Sequence, residues 1–251
     1  QAKRAPPDVL EEIDFDHSFW RQGSDARQRW WKTIEDVHNM TDQKDVSPLH
    51  VAVILEFPAL VDHILDHQGT SEVHAQDSLG FQPLYYACES GCDEIVNALL
   101  GAGAEVDFSS TSANPTALHA ASSNGHYDIV STLLDRDADI NATTPDQGTA
   151  LYAAAGNLEN SIVKLLLGRN ADVNVIGGPG RRALNIAAFS GNTEAVRLLI
   201  EKGADVDPNE EYLYGSALGA AARRGHADVV RLLLSHSWSP NRPMKTYGSF
   251  L

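Results

Sequence analysis

The chain has 251 residues, 43% of them hydrophobic, and 34 acidic side chains against 19 Lys and Arg for a formal charge of −15. That balance disfavours nonspecific binding to nucleic acid or an anionic membrane, and no apolar run reaches the ~20 residues of a membrane-spanning helix. Two cysteines, Cys88 and Cys92, are too few for a disulfide scaffold and lack a second ligand pair for zinc, so an intracellular, cytoplasmic home is expected.

The first segment, residues 1–45, is read as a lead-in and capping helix. Ala5-Pro6-Pro7 is extended, and Ser24 is placed to N-cap a helix from about Asp25 to Asn39. Arg27, Trp30, Trp31 and Ile34 share one face of that helix, and Trp20, Trp30 and Trp31 are three of the four tryptophans. They either cover the apolar end of the array that follows, as a terminal cap must, or form a patch for a partner.

From residue 46 one pattern recurs. The leucine opening each unit stands at Leu49, Leu84, Leu118, Leu151, Leu184 and Leu218, in steps of 35, 34, 33, 33 and 34 residues. A period of this size signals stacked repeats. The openings are SPLHVA, QPLYYA, TALHAA, TALYAA, RALNIA and SALGAA. Ser47, Thr116, Thr149 and Ser216 are placed as N-caps, while Pro48 and Pro83 occupy the first helical position, where a missing N–H costs nothing. Gly91, Gly125, Gly191 and Gly225 are expected to end these first helices in a left-handed turn.

A second helix follows with paired apolar residues, such as Ile95, Val96, Leu99 and Leu100, or Ile162, Val163, Leu166 and Leu167. In the sixth unit the set is Val229, Val230, Leu232 or Leu233, and Leu234. The spacing makes one buried face per helix. Gly103, Asp137, Asn170 and Gly203 then suit a left-handed residue. Val106, Ile140, Val173 and Val206 are expected to be extended before a polar hairpin tip.

These residues resemble ankyrin repeats. The carrying motifs are TALHAASSNGHYDIVSTLLDRDADIN in the third unit and GNTEAVRLLIEKGADVD in the fifth, and the likeness runs from about 45 to 251. The resemblance implies an all-α repeat solenoid of helix-turn-helix units joined by β-hairpin loops. About six repeats are expected, near 46–75, 76–109, 110–142, 143–175, 176–209 and 210–242, plus a truncated seventh at 243–251. Glu56-Phe57 replaces the usual Gly-His, extra residues fall around Gly69 to Glu72, Asn157-Leu158-Glu159 alters the fourth turn, and Trp238 alters the sixth loop. Tyr247-Gly248-Ser249-Phe250-Leu251 repeats Tyr214-Gly215-Ser216-Ala217-Leu218 at a distance of 33 residues. With Gln1 in place of an initiator Met, the chain reads as a piece of a longer protein. The Trp-rich lead-in and the Tyr-Gly-Ser openings also resemble the C-terminal sensor arrays of fungal NACHT-type nucleotide-binding proteins.

No catalytic constellation emerges. His63 and His67, with Asp66 and His74 nearby, lack the HExxH order of a metallohydrolase, and GGPG at 177–180 lacks that of a phosphate loop. No metal, cofactor or catalytic residue is assigned, and the chain is expected not to be an enzyme. His50, His119, His126 and His226 occupy positions where the family uses structural histidines. What remains is recognition. By the resemblance, hairpin tips and first-helix ends are free of structural duty and line a concave face. The partner-binding candidates are Phe81, Glu89, Ser90, Ser123, Asn124, Asp146, Arg181, Phe189, Ser190, Tyr212, Arg223 and Arg224. The expected function is a noncatalytic, monomeric scaffold for a partner protein, without nucleic acid or membrane. The alternative is a regulatory sensor segment packing on an upstream nucleotide-binding domain of the same protein.

Overall fold

A computed structural model describes residues 47–68, 70–111, 114–144, 147–158, 160–177, 182–206 and 216–237. The lead-in with its Trp-bearing helix, the altered loop at Trp238 and the truncated seventh repeat lie outside the described residues. The chain divides into two compact units, Gln1–Asp139 and Ile140–Leu251.

The first unit contains α1 (Pro48–Ile54), α2 (Pro58–Gln68), a 3-10 helix (Thr70–His74), α3 (Pro83–Ser90), α4 (Asp93–Gly101), α5 (Ala117–Asn124) and α6 (Tyr127–Asp135). First helices α1, α3 and α5 pack side by side, second helices α2, α4 and α6 form a parallel layer, and each first helix packs on its own second helix. The second unit repeats the plan with α7 (Ala150–Gly156), α8 (Asn160–Gly168), α9 (Ala183–Ser190), α10 (Thr193–Glu201), α11 (Ala217–Arg224) and α12 (Ala227–Ser237). There α7, α9 and α11 form one layer and α8, α10 and α12 the other.

Sequence chemistry accounts for these elements locally. The hydroxyls of Thr149 and Ser216 accept the N–H groups of Tyr152 and Gly219 at 3.1 and 3.2 Å, satisfying donors that an α-helix leaves free. His50 and His119 add a second cap: their Nδ1 atoms lie 3.3 Å from the backbone N–H of Ser47 and Thr116. In the fifth repeat Asn185 takes that slot, its Oδ1 accepting the Arg182 N–H at 3.0 Å. Leu84, Leu118, Leu151 and Leu184 are almost fully buried, beside the alanines Ala87, Ala121, Ala154 and Ala187. Alanine lets the first helices approach closely, and a larger side chain there would overpack the layer. On the second helices Ile95, Leu99, Ile129, Leu133, Ile162, Leu166 and Leu199 are buried. In the last repeat Leu233 is buried, but Leu234, expected on the same buried face, is exposed, because it falls one position past Leu233 and so turns away from the layer.

Irregular stretches resolve in physical terms. The extra residues of the first repeat form the 3-10 helix, which buries Val73 and packs against α1, α2 and α3. Glu56 takes a left-handed φ of 53° where glycine is usual, as do Asp137 and Asn170 at 62° and 64° after later helices. In the fourth repeat Asn157 ends α7 with extended backbone, φ −84° and ψ 152°, rather than a left-handed turn.

One expectation is corrected. Val106, Ile140 and Val173 lie in turns rather than extended segments, and the described loops hold isolated bridge residues, such as Thr144 paired antiparallel with Gly148, rather than strands. Side chains replace a backbone ladder here. The side-chain oxygens of Asp107, Asn141 and Asn174 accept the N–H groups of Asp139, Asp172 and Asp205, one repeat onward, at 3.0, 2.9 and 2.8 Å.

Candidate protein-binding surface

The ends of the first helices are tied by residues of the following repeat. His126 begins α6, and its Nε2 lies 3.1 Å from the carbonyl of Glu89 near the end of α3. His226 does the same for Phe189, also at 3.1 Å, and Asn192 donates from Nδ2 to the Asn157 carbonyl at 2.8 Å. These bonds satisfy carbonyls that a helix leaves free at its C-terminus. The side chains beside those carbonyls are thereby presented from a rigid support.

In the first unit, Glu89 and Ser90 end α3, and Ser123 and Asn124 end α5. Ser90 and Asn124 bond back to their own helices, to the carbonyls of Ala87 and Ala120. Glu89 is exposed, yet desolvation raises its carboxyl above the ordinary value. Burial first, and then the Glu89 charge, push the Tyr85 hydroxyl up to about 12.

Phe81 is half-buried rather than solvent-facing. Its ring stacks on Tyr85 at 4.1 Å between centroids and meets Tyr86 edge-on at 6.0 Å. Beneath it, the carboxylate of Asp77 accepts the N–H groups of Leu79 and Phe81 and the Tyr86 hydroxyl. The Phe81 carbonyl faces His50 Nε2 at 3.0 Å. Sequence reasoning singled out Phe81 but not Tyr85, Tyr86 or Asp77. The signal for them is the Tyr-Tyr of QPLYYA, where other repeats carry one aromatic or none.

In the second unit, Phe189 and Ser190 end α9, and Arg223 and Arg224 end α11. The Arg224 guanidinium carbon sits 4.1 Å from the Phe189 ring centroid, a cation–π contact that joins the two helix ends. Phe189 remains 37% exposed. The two arginines also lie at the negative end of the α11 dipole. Leu158, 72% exposed just beyond α7, was not anticipated; it belongs to the altered fourth turn. Asp146, Arg181 and Tyr212 lie outside the described residues.

Among the described residues no three His, Cys, Asp or Glu side chains group as metal ligands. Burial pushes the Cys88 thiol well above its ordinary value, which keeps it protonated and poorly nucleophilic. No helix among the described residues is long and apolar enough to cross a membrane.

A family model for ankyrin repeats matches the chain three times, over residues 29–112, 103–177 and 159–244. Human NF-kappa-B inhibitor alpha is 36% identical over 112 residues, which are 43% of this chain and 35% of that protein. The mouse B-cell lymphoma 3 protein homolog is 37% identical over 110 residues, 43% of this chain and 23% of that protein. The chain thus spans about a third or less of these relatives. Among solved structures, the human ASB11 ankyrin repeat domain superposes with a TM-score of 0.69 at 31% identity, over 78% of this chain and 85% of that one.

Proposed function

Because the chain belongs to the ankyrin repeat family, whose repeats generally mediate protein–protein interaction, we propose that it is a noncatalytic scaffold that binds a partner protein through its loop tips and first-helix ends. The partner surface is either a separate protein or another domain of the same polypeptide. The scaffold acts as a monomer, and its free cysteines, Cys88 and Cys92, suit a reducing cytoplasm.

The observation that carries this reading is the pair Phe189 and Arg224. An aromatic ring and a guanidinium are held against each other at the ends of two helices whose other faces are buried. Aromatic and Arg side chains on a rigid support dominate the energy of many interfaces, because little conformational freedom is lost when they bind. A protein partner identified with the immobilised chain should bind the Phe189→Ala, Arg224→Glu double variant roughly thirtyfold more weakly, the effect of losing one strong hot spot. Lys202→Glu, the same charge change at the exposed end of α10, should leave binding unchanged. Equal binding by the double variant, with thermal unfolding unaltered, would remove this face from the interface.

A further inference from the structure

The ends of the first helices in the second unit form a continuous row. Asn192 holds the Asn157 carbonyl at 2.8 Å, and His226 Nε2 lies 3.1 Å from the Phe189 carbonyl. The turns after α7, α9 and α11 are thereby laced together. Along them stand the exposed residues Leu158, Phe189, Arg223 and Arg224.

Charge separates this row from the first unit. Residues 47–139 hold fourteen Asp and Glu against a single Arg, whereas residues 140–237 are nearly neutral, with ten Asp and Glu against nine Lys and Arg. The corresponding helix ends of the first unit carry Glu89-Ser90 and Ser123-Asn124, with no cation. In the second unit the acidic residues that open the following helices are already answered. Glu194 pairs with Lys164 at 3.4 Å and with Arg197 at 4.0 Å, and Asp228 pairs with Arg231. Among the described residues, Arg224 meets the Phe189 ring at 4.1 Å, and no carboxylate lies within ion-pair distance of it.

A ring against a guanidinium engages its charge but leaves its N–H groups, which form a planar fork. That fork matches a carboxylate, which it binds through two parallel hydrogen bonds. The ring also restricts the arginine before any partner arrives, which lowers the entropy lost on binding. A basic segment would be repelled by Arg223 and Arg224, and a wholly apolar one would desolvate them without a partner.

From Arg224 held over Phe189 in the same row as Leu158, we infer that these helix ends dock an extended acidic segment of a partner protein. An Asp or Glu carboxylate takes the Arg224 N–H groups, and apolar side chains of the segment lie on Phe189 and Leu158. Packed helices stand about 8–10 Å apart, and an extended chain advances about 3.3 Å per residue. The apolar residue over Leu158, two helices from Arg224, therefore falls about five or six positions from the carboxylate. This rests on the reading of the helix ends as a protein-binding surface, and it names the chemistry of the partner.

The test is selection of a random dodecapeptide library, displayed on phage, against the immobilised full chain. Enriched peptides should share an Asp or Glu, and changing it to Asn or Gln should weaken binding roughly fivefold. The same change should have little effect on binding to Arg224→Gln, which removes only charge at an exposed position. Replacing the acid by Lys should abolish binding to the wild type and restore it with Arg224→Glu, a swap that a purely structural role for Arg224 does not produce. Leu158→Ser should weaken the peptides that carry an apolar residue five or six positions from the acid. Peptides that depend on Phe189 and Arg224 but share no acidic residue, or that show no charge swap, overturn the acidic segment while leaving the binding surface standing. Selection that enriches no peptide sensitive to substitution in this row overturns both.

Discussion

At the scale of single residues, Gly91 with His126 and Gly191 with His226 act as pairs from successive repeats. The His126 ring occupies the place where a Cβ on Gly91 would project, 2.3 Å from its Cε1, and Gly91 has φ +84°. Gly91→Ala must adopt a left-handed backbone, at roughly 1–2 kcal/mol, and displace the ring from the Glu89 carbonyl, at about 1 kcal/mol more. Gly103→Ala, at φ +93° with open space around it, should lose only the backbone part. Gly101→Ala, also in open space at the end of α4, should gain about 0.5–1 kcal/mol. Urea unfolding of the three variants checks the order.

His50 supplies a pH dependence at the same scale. Burial lowers its pKa below 6.5, outweighing the Phe81 carbonyl and the charges of Asp77 and Glu72, which raise it. The unfolded chain therefore binds the proton more readily than the fold does. This contribution is fully present above pH 6.5, and it is lost as pH falls through the depressed folded value. His50→Asn keeps a side-chain acceptor for the cap, as Asn185 shows, but gives up the bond to Phe81. Its stability should be about 1 kcal/mol lower at neutral pH and should fall less on acidification, measured by chemical unfolding at a series of pH values.

At the scale of elements, first helices of seven or eight residues are too short to persist alone. Their persistence depends on the layer they pack in and on their caps. Leu166→Ala in the buried face of α8 should cost about 2–5 kcal/mol, whereas Leu158→Ala, at 72% exposure, should change stability by no more than about 0.5 kcal/mol. Asn192 is a sharper case. Its Oδ1 caps α10 by accepting the Ala195 N–H at 3.0 Å, while its Nδ2 holds the Asn157 carbonyl of the preceding repeat. Asn192→Ala removes both bonds from a buried position and should cost roughly 2–3 kcal/mol. Asn192→Asp keeps the cap alone and should recover about half of that loss; thermal unfolding of both variants decides it.

The element scale also shows what the residues disclosed in advance. N-caps, first-position prolines, the glycines, Asp137 and Asn170 of the left-handed turns and most buried second-helix residues were legible, because each depends on side chains within one helical turn; Glu56 in a left-handed turn and the exposed Leu234 were not. Val106, Ile140 and Val173 were misread as extended. Alternating apolar and polar residues imitate a strand, but Asp107, Asn141 and Asn174 satisfy the next loop through side chains rather than through a backbone ladder.

At the scale of the whole molecule, the main packing contacts within each unit join helices of one repeat or of adjacent repeats, as in other solenoids. The charge of −15 opposes compaction through self-repulsion. Raising the salt from low to roughly physiological ionic strength screens charges more than about 8 Å apart, so the melting temperature should rise with added NaCl. Calorimetry over a salt series checks the sign.

The sequence by itself determined the repeat period, the order of helices and the buried leucines, because these arise from short-range chemistry repeated about every 33–35 residues. Only the tertiary structure decided what meets across repeats: Arg224 over Phe189, His126 against Gly91, and Asn192 on Asn157. Arg224 and Phe189, like Asn192 and Asn157, stand 35 residues apart. Their contacts depend on the spacing and rotation of neighbouring helices, which local periodicity leaves unspecified.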